Sequence, residues 1–205
     1  MVTKNKKSQV WVETVIYTLI GLVLIGTVLA FATPAIQKQK DKAIIEKTSN
    51  AMNELDNVIL IAKREGIGNV RQLNFQIGKG EMTIDGENDQ IIFKIKESLY
   101  QYSEAGRTIT VSGTNMEART MRTGKKFTTT LALDYTNKAN ITYKGDDEKR
   151  TIIESPTPYN LLIENKGKIP TIISCTTEPD LACGSYECVN GLCRPKYANI
   201  DIYEG

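Results

Sequence analysis

A chain of 205 residues has room for one membrane-sized helix and one domain of ordinary size. Its 26 basic and 24 acidic residues nearly cancel, leaving +2, so there is no overall electrostatic case for a nucleic-acid partner. Histidine is absent, which removes the commonest general base and metal ligand.

The chain starts with a basic leader, Lys4-Asn5-Lys6-Lys7-Ser8, and runs into Gln9-Val10-Trp11-Val12-Glu13. From Thr14 to Gln37 no residue is charged. As a helix rising roughly 1.5 Å per residue, that stretch reaches about 36 Å, enough to cross a bilayer. Glu13 sits at its lip, where a plain anchor has no use for an acid. An ionisable group bordering lipid is a functional-site hypothesis by default. A conventional secretory leader has a shorter apolar core with a small-x-small site beyond it. The only such site here is Ala30-Phe31-Ala32, and cutting there would discard the helix and release a soluble domain. An uncleaved signal anchor is the other plain alternative, and it leaves Glu13 unexplained.

Lys6-Lys7-Ser8, then Gln9 and Glu13, then the apolar run, resemble the class III signal peptide of archaeal type IV pilins and related surface filaments. The resemblance covers about residues 6–35. It implies a prepilin peptidase cutting on the cytoplasmic side between Ser8 and Gln9, which makes Gln9 the new N-terminus and Glu13 the fifth mature residue. Ser8 replaces the more usual Gly or Ala before the cut but is still small. The fresh α-amino group would lie one helical turn from Glu13. Pairing with Glu13 of its own chain or of a neighbour would hide both charges only when subunits pack. The implied partners are the membrane, further copies of the chain, the peptidase and the pilus assembly machinery.

Lys38, Lys40 and Lys42 follow the apolar run, so the basic flanks nearly tie under the positive-inside rule. The cysteines and the polar, β-rich bulk place the C-terminal side outside. The helix is expected to continue to about Lys63, with a bend near Ala30 caused by Pro34. Ile44, Thr48, Ala51, Leu55, Val58 and Ala62 form a heptad-like seam, widened by Met52, Ile59 and Ile61. Gly66 is the expected left-handed cap.

Beyond Val70 the period becomes that of strands. Strands are expected at 74–77, 81–85, 90–95, 108–111, 126–135 and 159–165. Gly78-Lys79-Gly80 and Asp85-Gly86-Glu87-Asn88 read as hairpin turns, and residues 141–144 and 150–154 read as a hairpin around Gly145-Asp146-Asp147. The expected fold is α+β: a long N-terminal helix with an antiparallel, sandwich-like β domain on its outer half and a small Cys-rich tail.

That tail holds every cysteine: Cys175, Cys183, Cys188 and Cys193. No Cys-x-x-Cys pair occurs, so two disulfides in an oxidising place are expected rather than a metal site. Four cysteines allow three pairings. The crossed one, Cys175 with Cys188 and Cys183 with Cys193, is the working expectation. The tail would stabilise the distal end or present an adhesive contact surface. Asn140-Ile141-Thr142 is an N-glycosylation pattern. Asp146-Asp147-Glu148 and Asp85-Gly86-Glu87-Asn88-Asp89 lack the spacing of a calcium loop and read as solvated turns.

No nucleophile elbow, phosphate loop or dinucleotide fingerprint appears, so neither enzyme activity nor a cofactor is expected. The chain divides into a leader (1–8), a membrane or filament-core helix (9–37), an amphipathic extension (38–66), a β-rich extracellular domain (67–173) and a stapled tail (174–205). The expected role is a filament subunit, a membrane precursor that moves to the cell surface on assembly. The alternatives are a lone membrane-anchored binding protein and a minor component of a related secretion apparatus.

Overall fold

A computed structural model describes residues 6–167, 186–189, 192–195 and 197–205, with side chains over 11–167 and 197–205. One helix, α1, runs unbroken from Lys6 to Arg64 through Pro34. Twelve strands follow among the described residues: β1 (Val70–Phe75), β2 (Glu81–Asp85), β3 (Gln90–Ser98), β4 (Thr108–Thr110), β5 (Met116–Thr123), β6 (Lys126–Asp134), β7 (Asn140–Tyr143), β8 (Lys149–Ile153), β9 (Tyr159–Gly167), β10 (Tyr186–Val189), β11 (Leu192–Pro195) and β12 (Asn199–Glu204). The chain is thus α+β, a long apolar helix followed by a β domain.

The domain has two main sheets. One has the order β4-β5-β6-β3-β2-β8 and is antiparallel throughout; the other has the order β1-β9-β12-β7. In the second sheet only β12 and β7 run parallel. α1 contacts β1, β9 and β12 of one sheet and β3 and β6 of the other. All three layers share one core: Ile45, Met52, Leu55 and Ile59 of the helix meet Phe75, Ile163 and Ile202 on one side and Phe93, Ile95 and Leu131 on the other.

The helix seam lies one residue from its expected centre. Ile45, Met52 and Ile59 are fully buried, whereas Ile44, Ala51 and Val58 are only partly buried. Thr48, Leu55 and Ala62 are shared by both seams and are buried. At Ala51/Met52 and Val58/Ile59 the larger apolar side chain takes the core position, because it removes more surface from water, whereas Ile44 and Ile45 are identical and the facing sheets choose between them. Ile61 remains exposed.

The helix end is also built differently. Gly66 is not left-handed; Gly68 is, at φ 85°. The cap comes from a distant side chain instead. Asn165 of β9 donates through Nδ2 to the carbonyls of Ala62 (3.0 Å) and Lys63 (3.4 Å), and its own carbonyl accepts from Gly68 N–H at 2.8 Å. Carbonyls of a last helical turn have no partner within the helix, and burial makes that costly.

Two expected hairpins are crossovers. Gly78-Lys79-Gly80 joins β1 to β2, which lie in different sheets. A Cβ on Gly80, whose φ is 106°, would stand 2.5 Å from the Lys94 carbonyl oxygen, so the chain can cross this closely only with glycine. Residues 140–143 and 149–153 likewise separate after a single bridge between Tyr143 and Asp146. Here β12 takes the β7 edge, and Asp201 holds the turn by accepting from Gly145 N–H (2.7 Å) and the Thr142 hydroxyl (2.9 Å). The hairpin at Asp85–Gln90 does form. Four strands have no counterpart in the expected pattern: β5, and β10, β11 and β12, which the sequence pattern assigns to the tail.

If the observed seam is right, Ile59→Ala should destabilise the protein by about 2–5 kcal/mol and Val58→Ala by well under that. Denaturant unfolding of the full chain in detergent checks both, and equal losses would restore the expected seam.

Candidate assembly site

The inner half of α1 makes no packing contacts with the domain. No residue from Trp11 to Ala30 is buried, and its large side chains face outward: Trp11 is 72% exposed, Val23 67% and Phe31 76%. The segment is long and apolar enough to cross a membrane. Three threonines on it spend their hydroxyls on the helix itself, Thr18 on the Val15 carbonyl, Thr27 on Val23 and Thr33 on Leu29, each at 2.8 Å. Their hydroxyl donors are therefore spent within the helix. Glu13 is exposed at the start of this stretch. Ser8 and Gln9, the expected processing site, fall on the first turns of the same helix.

Where the helix meets the domain, it is held by buried polar groups as well as by the seam. Asp41 is 1% exposed. Its Oδ2 accepts from Leu99 N–H at 2.7 Å, and its Oδ1 accepts from Lys79 Nζ at 2.9 Å and Gln37 Nε2 at 3.1 Å. Burial alone would raise its pKa. The Leu99 N–H and the Lys79 ammonium outweigh that, so the carboxyl lies below its ordinary value. Its contribution to stability is present at neutral pH and is lost as pH falls through the depressed value. Four turns further on, Asp56 accepts from the Tyr135 hydroxyl (2.8 Å) and Asn115 Nδ2 (3.1 Å). Burial, followed by the Asp56 charge, pushes the Tyr135 hydroxyl well above its usual range and keeps it a donor.

The contacts also give the domain a direction. Leu99, just beyond β3, meets Asp41, while Tyr135, next to Asp134 opposite Gln90 at the start of β3, meets Asp56. β3 therefore runs antiparallel to the helix, and its start is the end of the domain away from the free half. Acids gather there. Asp89 has a left-handed backbone (φ 53°) and accepts from Ile141 N–H at 2.8 Å, which ties the β2–β3 turn to β7 of the other sheet. Burial raises its pKa; the Ile141 bond opposes this, and the charges of Asp147, Asp134 and Asp85 add to it, giving about 6. Lys149 neutralises part of the group through Asp85 (3.1 Å) and Glu87 (3.5 Å). Among the described residues no three His, Cys, Asp or Glu side chains are arranged to hold a metal ion.

Asn140 is half-buried at the start of β7, its Nδ2 3.4 Å from Asp147 Oδ1, and the Thr142 hydroxyl is committed to Asp201 and Asn199. Cys188 and Cys193 stand opposite each other in the β10–β11 pair. Cys175 and Cys183, and with them the crossed pairing, lie outside the described residues. Sequence reasoning singled out Glu13 and passed over Asp41, Asp56 and Asn165. No protein-family model, curated protein or solved structure matches this chain.

The Asp89 group sets a pH dependence with a definite sign. A carboxyl whose pKa is raised on folding, from an unfolded value of about 3.9, stabilises most in acid and loses that contribution as pH rises through about 6. Asp89→Asn keeps the acceptor for Ile141 N–H without the charge. Thermal unfolding should show the wild-type Tm falling between pH 5 and pH 7.5, the variant nearly flat, and the variant the more stable of the two at pH 7.5. Parallel curves would exclude Asp89 as the group responsible.

Proposed function

We propose that this chain is a structural subunit of a type IV pilus-like surface filament, of the kind its leader resembles in archaeal type IV pilins. The observation that carries the reading is the bare apolar half of α1, continuous with a half that is clamped into a folded domain. A contiguous apolar surface of that size cannot stay in water. In the precursor a bilayer covers it. In the filament, helices of other copies do, and packing with them replaces packing with lipid.

On this reading cleavage after Ser8 frees the Gln9 amino group, and Glu13 pairs with it across neighbouring subunits. The two sheets, as a sandwich-like coat on the outer half of the helix, face the medium together with the disulfide-stapled tail. The tail supplies a stabilising or adhesive surface. The chain acts by assembling, with no chemical step of its own.

Mass spectrometry of the mature N-terminus is the first test. A chain that starts at Gln9 supports the filament reading. An intact leader favours a membrane-anchored binding protein, and a start near Thr33 favours a secreted domain. In cells that assemble the wild-type chain, Glu13→Gln should leave the subunit in the membrane and cut filament yield at least about tenfold, the order expected when a buried charge loses its partner. Normal filaments from that variant would remove Glu13 from the assembly mechanism.

A further inference from the structure

Asp41 is the only acid between Glu13 and Glu46, and it sits among Lys38, Lys40 and Lys42. Read along the sequence, it would cancel part of their charge. The fold takes it off the surface: Asp41 is turned into the domain and matched there by Lys79. What remains charged between Gln37 and Ala43 on the helix surface is three lysines. Lys38 and Lys40 are exposed, and Lys42 is half-exposed.

At about 1.5 Å rise per residue, all three lie within about 8 Å of the last apolar turn, the depth of a headgroup layer. Lys38 and Lys42, four apart, share one side of the helix, and Lys40 lies nearly opposite, so the charge surrounds the rod. Among the described residues no carboxylate is in ion-pair range of Lys38 or Lys40, and Lys42 meets only Glu46, at 3.7 Å with both groups well exposed. Lys42 Nζ also stands 6.0 Å from the ring centre of Tyr100. A half-buried tyrosine at this level has the amphipathic character that membrane interfaces favour.

We propose that Lys38, Lys40 and Lys42, with Tyr100 beside them, form a collar that binds the phosphate headgroups of an anionic lipid surface. This rests on reading residues 14–37 as the membrane span of the precursor. Burying Asp41 serves two ends at once: it clamps the domain to the helix and leaves Glu46, at 3.7 Å from Lys42, as the collar's one carboxylate partner among the described residues. Each lysine held near an anionic leaflet strengthens attachment by about fivefold. The collar therefore fixes how deep the helix sits and must be released when the subunit leaves the membrane.

The test uses the full chain reconstituted in vesicles of phosphocholine lipid, with or without phosphoglycerol lipid. Flotation in high salt first reports insertion, which does not depend on the collar. Acetylation of each lysine is then followed by mass spectrometry. In the anionic vesicles Lys38, Lys40 and Lys42 should react several-fold more slowly than in neutral ones, and high salt should erase the difference. Lys144, exposed in the turn after β7, should react alike in both. The triple variant K38Q/K40Q/K42Q should lose enrichment of fluorescent phosphoglycerol lipid around the protein. Equal rates in the two vesicles would overturn the proposal. So would protection seen only in assembled filaments, which would assign the collar to contacts between copies. A chain that fails to float would refute the membrane reading and the collar together, whereas insertion with unprotected lysines would refute the collar alone.

Discussion

A buried carboxylate ties an apolar rod to a water-soluble domain. Asp41 lies where the two meet, and every oxygen it has is satisfied by groups that the β domain or the helix brings to it. A buried charge without such partners would cost several kcal/mol, whereas one with a backbone N–H and an ammonium specifies a single arrangement. Hydrophobic packing alone does not give that specificity. The seam of Ile45, Met52 and Ile59 repeats every seven residues, so a slip of two turns would still set apolar side chains against the sheets but would take Asp41 and Asp56 away from their partners. The apolar side chains thus supply most of the attraction, and the polar groups choose the register.

Closure of the β domain depends on its last strand. β12 inserts between β9 and β7, completes the four-stranded sheet, and brings Asp201 to the turn after Tyr143. β9, its neighbour, carries Asn165, whose amide closes the helix end. Helix and sheet therefore stabilise each other at both ends of the docked segment. That makes the free half of α1 a fixed projection rather than a tether, as the proposed filament subunit would need.

How far the sequence speaks depends on whether a signal is local. The uncharged run after Glu13 and the alternation in β2, β3 and β6 are properties of neighbouring residues, and they are legible. β5 is not, because its inward residues are Met116, Ala118 and Thr120, which favour helix or are polar. β12 gains its meaning only from partners near residues 140 and 163. The seam is displaced because Ile44 and Ile45 are chemically alike, and only the facing sheets choose between them. Gly66 looks like a cap, but the cap comes from a side chain 103 residues away from Ala62. In the candidate site Glu13 stands out because it borders the long uncharged run. Asp41 looks like one more charge in a lysine-rich stretch, and its burial is a tertiary fact.

Rod and domain are one body, joined at Asp41 without a flexible neck. Hydrogen exchange of the full chain in detergent, read residue by residue from Ile36 to Ser49, tests this most directly. A continuous, clamped helix gives slow, uniform exchange across that stretch, matching the buried seam beyond it. Rapid exchange confined to residues 37–43 would mean that the helix breaks at the join, and would contradict it.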